Sequence, residues 1–266
     1  MSHKSTIETL REMKARGEPI ASITAYDAGF ARLAEAAGMD FLLVGDSLGM
    51  VLQGADNTLG VTMADMIYHS RLVSRGVQRC PIVADMPYLS YTTPAQALGN
   101  AGRLLREGGA VVVKLEGGAW LAETVQYLAR FGIPVCGHLG LMPQSIHKLG
   151  GYRLQGRDET SARQIVADAR TLEQAGIVML VLECVPASLA GEVRRAVKIP
   201  VIGIGAGGDC DGQVLVMQDA LGISARPPAF ARDFLAETGT VQAALARYVE
   251  AVKSREFPGT SHTPAP

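Results

Sequence analysis

The chain has 266 residues, with 25 Lys+Arg against 26 Asp+Glu, and 48% of it is hydrophobic. That apolar content excludes an intrinsically disordered chain, and a formal charge of −1 excludes general nucleic-acid binding, which needs a basic field to neutralise phosphates. A small anionic ligand held by one or two local cations is still allowed.

In chain order, Thr6–Lys14 reads as an extra helix ahead of the first β-branched run, Ile20–Tyr26. The runs Phe41–Asp46, Pro81–Met86, Val111–Glu116, Pro134–His138, Met179–Cys184 and Pro200–Gly205 follow, with a weaker one at Ala220–Ser224. Between them the period lengthens to that of amphipathic helices at Ala28–Ala37, Met63–Arg75, Pro94–Glu107, Trp120–Arg130, Thr160–Gln174 and Ala187–Val197. Thr62 with Asp65, and Thr93 before Pro94, supply helix starts. Gly38, Gly76, Gly108, Gly132 and Gly176 supply stops. Val241–Val252 is a final helix and Phe257–Pro266 a loose tail.

Eight strands alternating with helices predict a parallel sheet, because parallel strands need crossovers. In a chain near the ~250 residues of a (β/α)8 barrel, eight is also the closing number; a doubly wound sheet is the alternative. No proline- or serine-rich linker interrupts the pattern, so residues 1–266 read as one domain.

The N-terminal stretch mixes charges and lacks an apolar core, unlike a signal peptide. No run reaches the ~20 apolar residues of a membrane span. The four cysteines (Cys80, Cys136, Cys184, Cys210) form no C-x-x-C pair, so reduced thiols are expected, in a cytoplasmic protein. Gly203-Ile-Gly-Ala-Gly-Gly208 matches G-x-G-x-x-G but comes late and lacks the acidic residue of a dinucleotide site. A tight loop after the seventh strand is the preferred reading.

Polar residues at the carboxyl ends of the strands carry the functional signal, since parallel α/β proteins bind ligands there. Strand two ends Asp46-Ser47, strand three Asp85, strand four Lys114-Leu-Glu116, strand five His138 and strand six Glu183. Lys114 and Glu116 are two apart and share a face. In a barrel these groups converge at one mouth, where clustered carboxylates need a compensating cation or proton. Oxygen donors without Cys–His spacing suit Mg²⁺. The alternative is that each acid caps a helix or pairs with a surface arginine. His138 is either a satisfied core histidine or a ligand contact, and Gly150–Arg157 either a mobile lid or a solvated loop. Cys136 beside His138 reads as a buried thiol before it reads as a nucleophile.

Val44-Gly-Asp-Ser-Leu-Gly-Met50, Lys114-Leu-Glu-Gly-Gly118, Pro134-Val-Cys-Gly-His-Leu-Gly140, Gly150-Gly-Tyr-Arg-Leu-Gln-Gly156, Leu182-Glu-Cys-Val-Pro186 and Pro200-Val-Ile-Gly-Ile-Gly-Ala-Gly207 are ordered motifs. With Thr24-Ala-Tyr-Asp27 they resemble the ketopantoate hydroxymethyltransferase family from about Thr6 to Gly259. The resemblance implies a (β/α)8 TIM barrel of the phosphoenolpyruvate/pyruvate type, assembled as a homodecamer. It implies hydroxymethyl transfer from 5,10-methylenetetrahydrofolate to 3-methyl-2-oxobutanoate, early in pantothenate synthesis. By the same resemblance Asp46, Asp85 and Glu116 surround Mg²⁺. Asp46, Ser47, Asp85 and Lys114 hold the keto acid, and Glu183 is the proton acceptor. Gln218 and Ala229 depart from the family, which has His and Lys there. The rivals are a Mg²⁺-dependent carbon–carbon lyase or mutase of the isocitrate lyase/phosphoenolpyruvate mutase type, and a non-catalytic barrel. Asp85-Met-Pro-Tyr88 lacks the Asp-x-Asp of the first.

Overall fold

The computed structural model describes residues 5–263. Eight parallel strands close in the order β1 to β8: Ile20–Thr24, Phe41–Val44, Ile82–Asp85, Val112–Glu116, Val135–Gly140, Met179–Glu183, Val201–Ile204 and Gly212–Leu215. Helices α1 (Ile7–Arg16), α2 (Ala28–Ala37), α3 (Leu48–Val51), α4 (Met63–Gly76), α5 (Pro94–Gly108), α6 (Ala122–Arg130), α7 (Ile146–Leu149) and α8 (Glu159–Ala175) precede β6. After it come α9 (Ala187–Ala196), α10 (Met217–Ala220), α11 (Phe234–Thr238) and α12 (Val241–Lys253).

Strand alternation sorts the apolar residues into two cores. Phe41, Val83, Val112, Cys136, Met179, Val181, Ile202 and Val214 fill the barrel interior. Their neighbours Leu42, Val113, Leu180 and Val201 face outward, into the shell shared with the helices. Helix α1 closes the amino end. Thr6 and Thr9 cap it reciprocally, Gly17 (φ 68°) ends it, and Leu10 and Met13, three apart on one face, join the interior core.

The interior-facing series turns polar one step further along β3 to β6. Val83 is followed by Asp85, Val112 by Lys114 and Glu116, Cys136 by His138, and Val181 by Glu183. The register sets Asp85 opposite Lys114, and Glu116 opposite His138. Folding the apolar layers therefore carries the polar layer to the mouth.

The eighth strand is Gly212–Leu215, paired with both Ile20–Ile23 and β7, and not Ala220–Ser224. Residues 205–211 alone join β7 to β8, the tight loop expected after the seventh strand. Gly205 and Gly207 at φ 59° and 76° permit that short turn. Ala220 instead ends the short helix α10. The expected tail starts packed: Phe257 is buried against Phe234 and Tyr248, while residues 264–266 lie outside the described ones. Among the described residues no helix is long and apolar enough to cross a membrane.

Candidate active site

Asp46, Asp85, Lys114, Glu116 and His138 are each no more than 4% exposed, and they meet at the carboxyl end of the barrel. Lys114 Nζ lies 3.0 Å from Asp85 Oδ1, 3.9 Å from Glu116 Oε1 and 3.2 Å from His138 Nδ1. His138 Nδ1 is 3.5 Å from Glu116 Oε1, and its Nε2 is 3.4 Å from Glu183 Oε2. The Asp46 main-chain N–H donates to Asp85 Oδ2 at 3.1 Å, which ties the ends of β2 and β3. A Cβ at Gly45 would stand 2.8 Å from Ser47 Oγ, so glycine there leaves room for the Ser47 hydroxyl.

Ser47 lies in the turn into α3, where its hydroxyl meets the Tyr26 hydroxyl at 2.9 Å. Tyr26 is in turn held by His69 Nδ1 on its carbonyl oxygen. Glu183, at the end of β6, stays partly open, with its side chain 15% exposed. The structure thus brings Asp46, Ser47, Asp85, Lys114, Glu116, His138 and Glu183 together at one mouth. Ser47 and Glu183 form the more accessible edge and the other five the floor.

Electrostatics there are set by burial and mutual repulsion. Burial, and then repulsion from Asp85 and Glu116, holds Asp46 well above the usual carboxylate range. Burial also raises Asp85, against the opposing pull of Lys114. Burial works to raise Glu116 too, but His138, Lys114 and the Gln144 N–H outweigh it and lower it. Burial and Lys114 disfavour a charged His138, yet Glu116 and Glu183 push it up to about 9. Lys114 remains charged, because three acids outweigh its burial. Burial pushes the Cys136 thiol beneath them up to about 12, which makes it inert.

Asp85 Oδ1 is buried with only the Lys114 ammonium beside it, and Glu116 Oε1 and His138 Nε2 are buried without a hydrogen-bond partner. Such atoms are costly unless something else satisfies them. Two hard, buried oxygens beside a third carboxylate suit a hard cation such as Mg²⁺. Among the described residues no three Asp, Glu, His or Cys side chains form a ready-made ligand cage. Mg²⁺ does not need one, as it commonly takes one or two carboxylates and completes its shell with water and substrate oxygens. The donor set fits.

Reading by charge missed two residues. Gln144, in the turn after β5, donates to Asp46 and Glu116, and Tyr91, after β3, donates to Gln144. Both are uncharged at neutral pH and lie in loops, so periodicity gives no signal; only Pro143 marks the turn. The Gly150–Arg157 loop is fastened at two points. Gln155 N–H donates to Cys184 O at 2.8 Å, and Tyr152 OH reaches Met50 Sδ at 3.2 Å across the mouth. Gln218 is half-buried on α10 and Ala229 is exposed in the segment after it.

A closed parallel barrel with its charged groups gathered at the carboxyl ends of the strands defines the class, a (β/α)8 barrel. Solved structures share that fold. Phosphonopyruvate hydrolase superposes with a TM-score of 0.62 at 13% identity, covering 99% of this chain and 92% of that one. Phosphoenolpyruvate phosphomutase from Streptomyces platensis gives 0.61 at 15% identity, covering 94% and 96%. Closer in sequence are curated 3-methyl-2-oxobutanoate hydroxymethyltransferases. That of Nitrosococcus oceani is 59% identical over 95% of this chain and 96% of its own length. That of Halorhodospira halophila is 56% identical over 97% and 94%. The sequence model of the ketopantoate hydroxymethyltransferase family matches residues 4–260, and the chain belongs to that family of enzymes.

Proposed function

We propose that the barrel transfers a hydroxymethyl group from 5,10-methylenetetrahydrofolate to 3-methyl-2-oxobutanoate, giving ketopantoate for pantothenate synthesis in the cytoplasm. Family membership supports the reaction. The observation that carries the site is the buried carboxylate–lysine floor, in which Lys114 pairs with Asp85 while Glu116 Oε1 and His138 Nε2 lack a hydrogen-bond partner. Asp46, Asp85 and Glu116 would hold Mg²⁺, which when bound supplies Lewis acidity toward the keto oxygen of the 2-oxo acid.

Lys114 and the Ser47 hydroxyl hold the substrate's oxygens, with Tyr26 orienting Ser47. Glu183, at the open edge, takes the C3 proton on its carboxylate, and His138 beside it positions that carboxylate. The resulting carbanionic C3 bonds to the one-carbon unit, presented as the iminium. Tetrahydrofolate leaves, and water supplies the hydroxyl oxygen. No covalent enzyme intermediate is required, so Lys114 serves as a charge and not as a Schiff base. The family resemblance further supports a homodecamer.

Mixing the purified chain with 3-methyl-2-oxobutanoate, methylenetetrahydrofolate and Mg²⁺ should yield ketopantoate. EDTA should abolish turnover, and added Mg²⁺ should restore it. Full activity in metal-free buffer would remove Asp46, Asp85 and Glu116 as cation ligands. Failure to make ketopantoate with Mg²⁺ present would remove the reaction.

A further inference from the structure

Gln144 engages four partners with three of its atoms. Its Nε2 donates to Asp46 Oδ2 at 2.8 Å and to Met86 O at 2.9 Å. Its Oε1 accepts from Tyr91 OH at 2.5 Å, and its main-chain N–H donates to Glu116 Oε2 at 3.0 Å. The residue is buried, and Pro143 opens the single turn that carries it. One residue after β5 thereby ties together groups at the ends of β2, β3 and β4.

The amide has only one workable orientation. Tyr91 has no other strong acceptor, its contact with Glu116 O being 3.4 Å long. A flipped amide would set its oxygen against both the Asp46 carboxylate and the Met86 carbonyl. Tyr91 thus aims Gln144, and Gln144 aims Asp46. On Glu116 the division is clear: Oε2 is occupied by Gln144, while Oε1 is left without a hydrogen-bond partner. A residue needed only to satisfy Met86 O would not also engage two acids of the mouth, one through its side chain and the other through its main chain.

We propose that Gln144 is a positioning residue of this site, occupying one oxygen each of Asp46 and Glu116 so that the remaining oxygens face the same cation and 2-oxo acid. This rests on the function proposed above. Partners that orient ligands from behind typically change metal affinity by about 10–100-fold when removed.

The test uses the full chain and Mn²⁺ alone, with free Mn²⁺ followed by EPR. Gln144→Met keeps the length and removes the amide. It should weaken Mn²⁺ binding about tenfold or more. In an Asp46→Asn background the same change should cost less than about twofold, because the carboxylate it aims is already gone. Tyr91→Phe keeps Gln144 but removes the hydroxyl that orients it, and should weaken Mn²⁺ by about threefold; it also serves if Gln144→Met does not fold. A Gln144→Met protein that melts lower yet binds Mn²⁺ like the parent has lost only a structural contact, and overturns the proposal. Full additivity with Asp46→Asn, or an unchanged Tyr91→Phe affinity, overturns it as well. A parent that binds neither Mn²⁺ nor, with Mg²⁺ present, 3-methyl-2-oxobutanoate by calorimetry overturns the proposed function itself, and this inference with it.

Discussion

The two ends of the barrel each bury acids against cations, and they differ in what is left over. At the amino end Asp211 is 2% exposed. Its Oδ1 takes Arg194 Nε at 2.6 Å, and its Oδ2 takes the Val201 N–H and Lys14 Nζ, each at 2.9 Å. Lys14 uses its other donors on the Arg194 and Ile199 carbonyls. At the carboxyl end Lys114 pairs with Asp85 Oδ1 at 3.0 Å but stands 3.9 Å from Glu116 Oε1, and Glu116 Oε1 and His138 Nε2 are left without a hydrogen-bond partner. A closed account of hydrogen bonds marks a joint that holds α1 over the barrel floor. An open one marks a place where a ligand completes the account. Buried charge alone does not distinguish a site from a structural joint; unsatisfied buried charge does.

The comparison breaks most visibly at Glu183. Positioned general bases contribute about 10²–10⁴-fold. Glu183→Gln keeps the shape and removes the proposed proton acceptor, so the C3 proton of 3-methyl-2-oxobutanoate should exchange with D₂O slower by about that factor. NMR follows the exchange without folate, and calorimetry should still show 2-oxo acid binding in the presence of Mg²⁺. Exchange at the parental rate would pass the role to another group. The opposite pattern is expected at the amino end. Asp211→Ala strands the largely buried Lys14 ammonium and frees the partly exposed Arg194, and should cost on the order of 3 kcal/mol in denaturant unfolding. The exchange rate per folded molecule should not change. A slower exchange there would mean that the two ends are coupled.

Legibility in the sequence followed the same division. Strands β1 to β7 were readable within a few residues, because their apolar runs must fill an interior and a shell at once, as Phe41 and Leu42 do. The acids, Lys114, His138 and Glu183 were readable because charge at a strand end stands out against those runs. β8 was not, since Gly212-Gln-Val-Leu215 is short, carries a polar Gln213 and follows Asp-Cys-Asp-Gly, which resembles a turn. Its place is set by pairing with β1, a long-range fact with no local signature. Gln144 and Tyr91 were hidden for a related reason. Their importance lies in partners far away in sequence, and an amide or a phenol in a loop has many uses.

Glu35 sharpens the comparison through pH. On α2, its carboxylate accepts the N–H groups of Gln78, Arg79 and Cys80, which lead into the amino end of β3, with Oε1 at 3.0, 2.7 and 2.9 Å. Burial works to raise its pKa, but those N–H groups and the Arg79 charge outweigh it and hold Glu35 below the usual carboxylate value. A depressed folded value means that the stabilisation is full above the ordinary carboxylate pKa, and is lost as pH falls through the folded value. Glu35→Gln keeps an acceptor oxygen but not the charge, and should lower unfolding stability at pH 7 by about 1 kcal/mol. The gap between parent and variant should then close as the pH drops below the ordinary carboxylate value. This is a smaller effect than at Asp211, because only main-chain amides, and no buried lysine or arginine, lose their partner. A gap that stays constant down to about pH 3, below the ordinary carboxylate value, would show that shape, and not the ionised carboxylate, holds the loop.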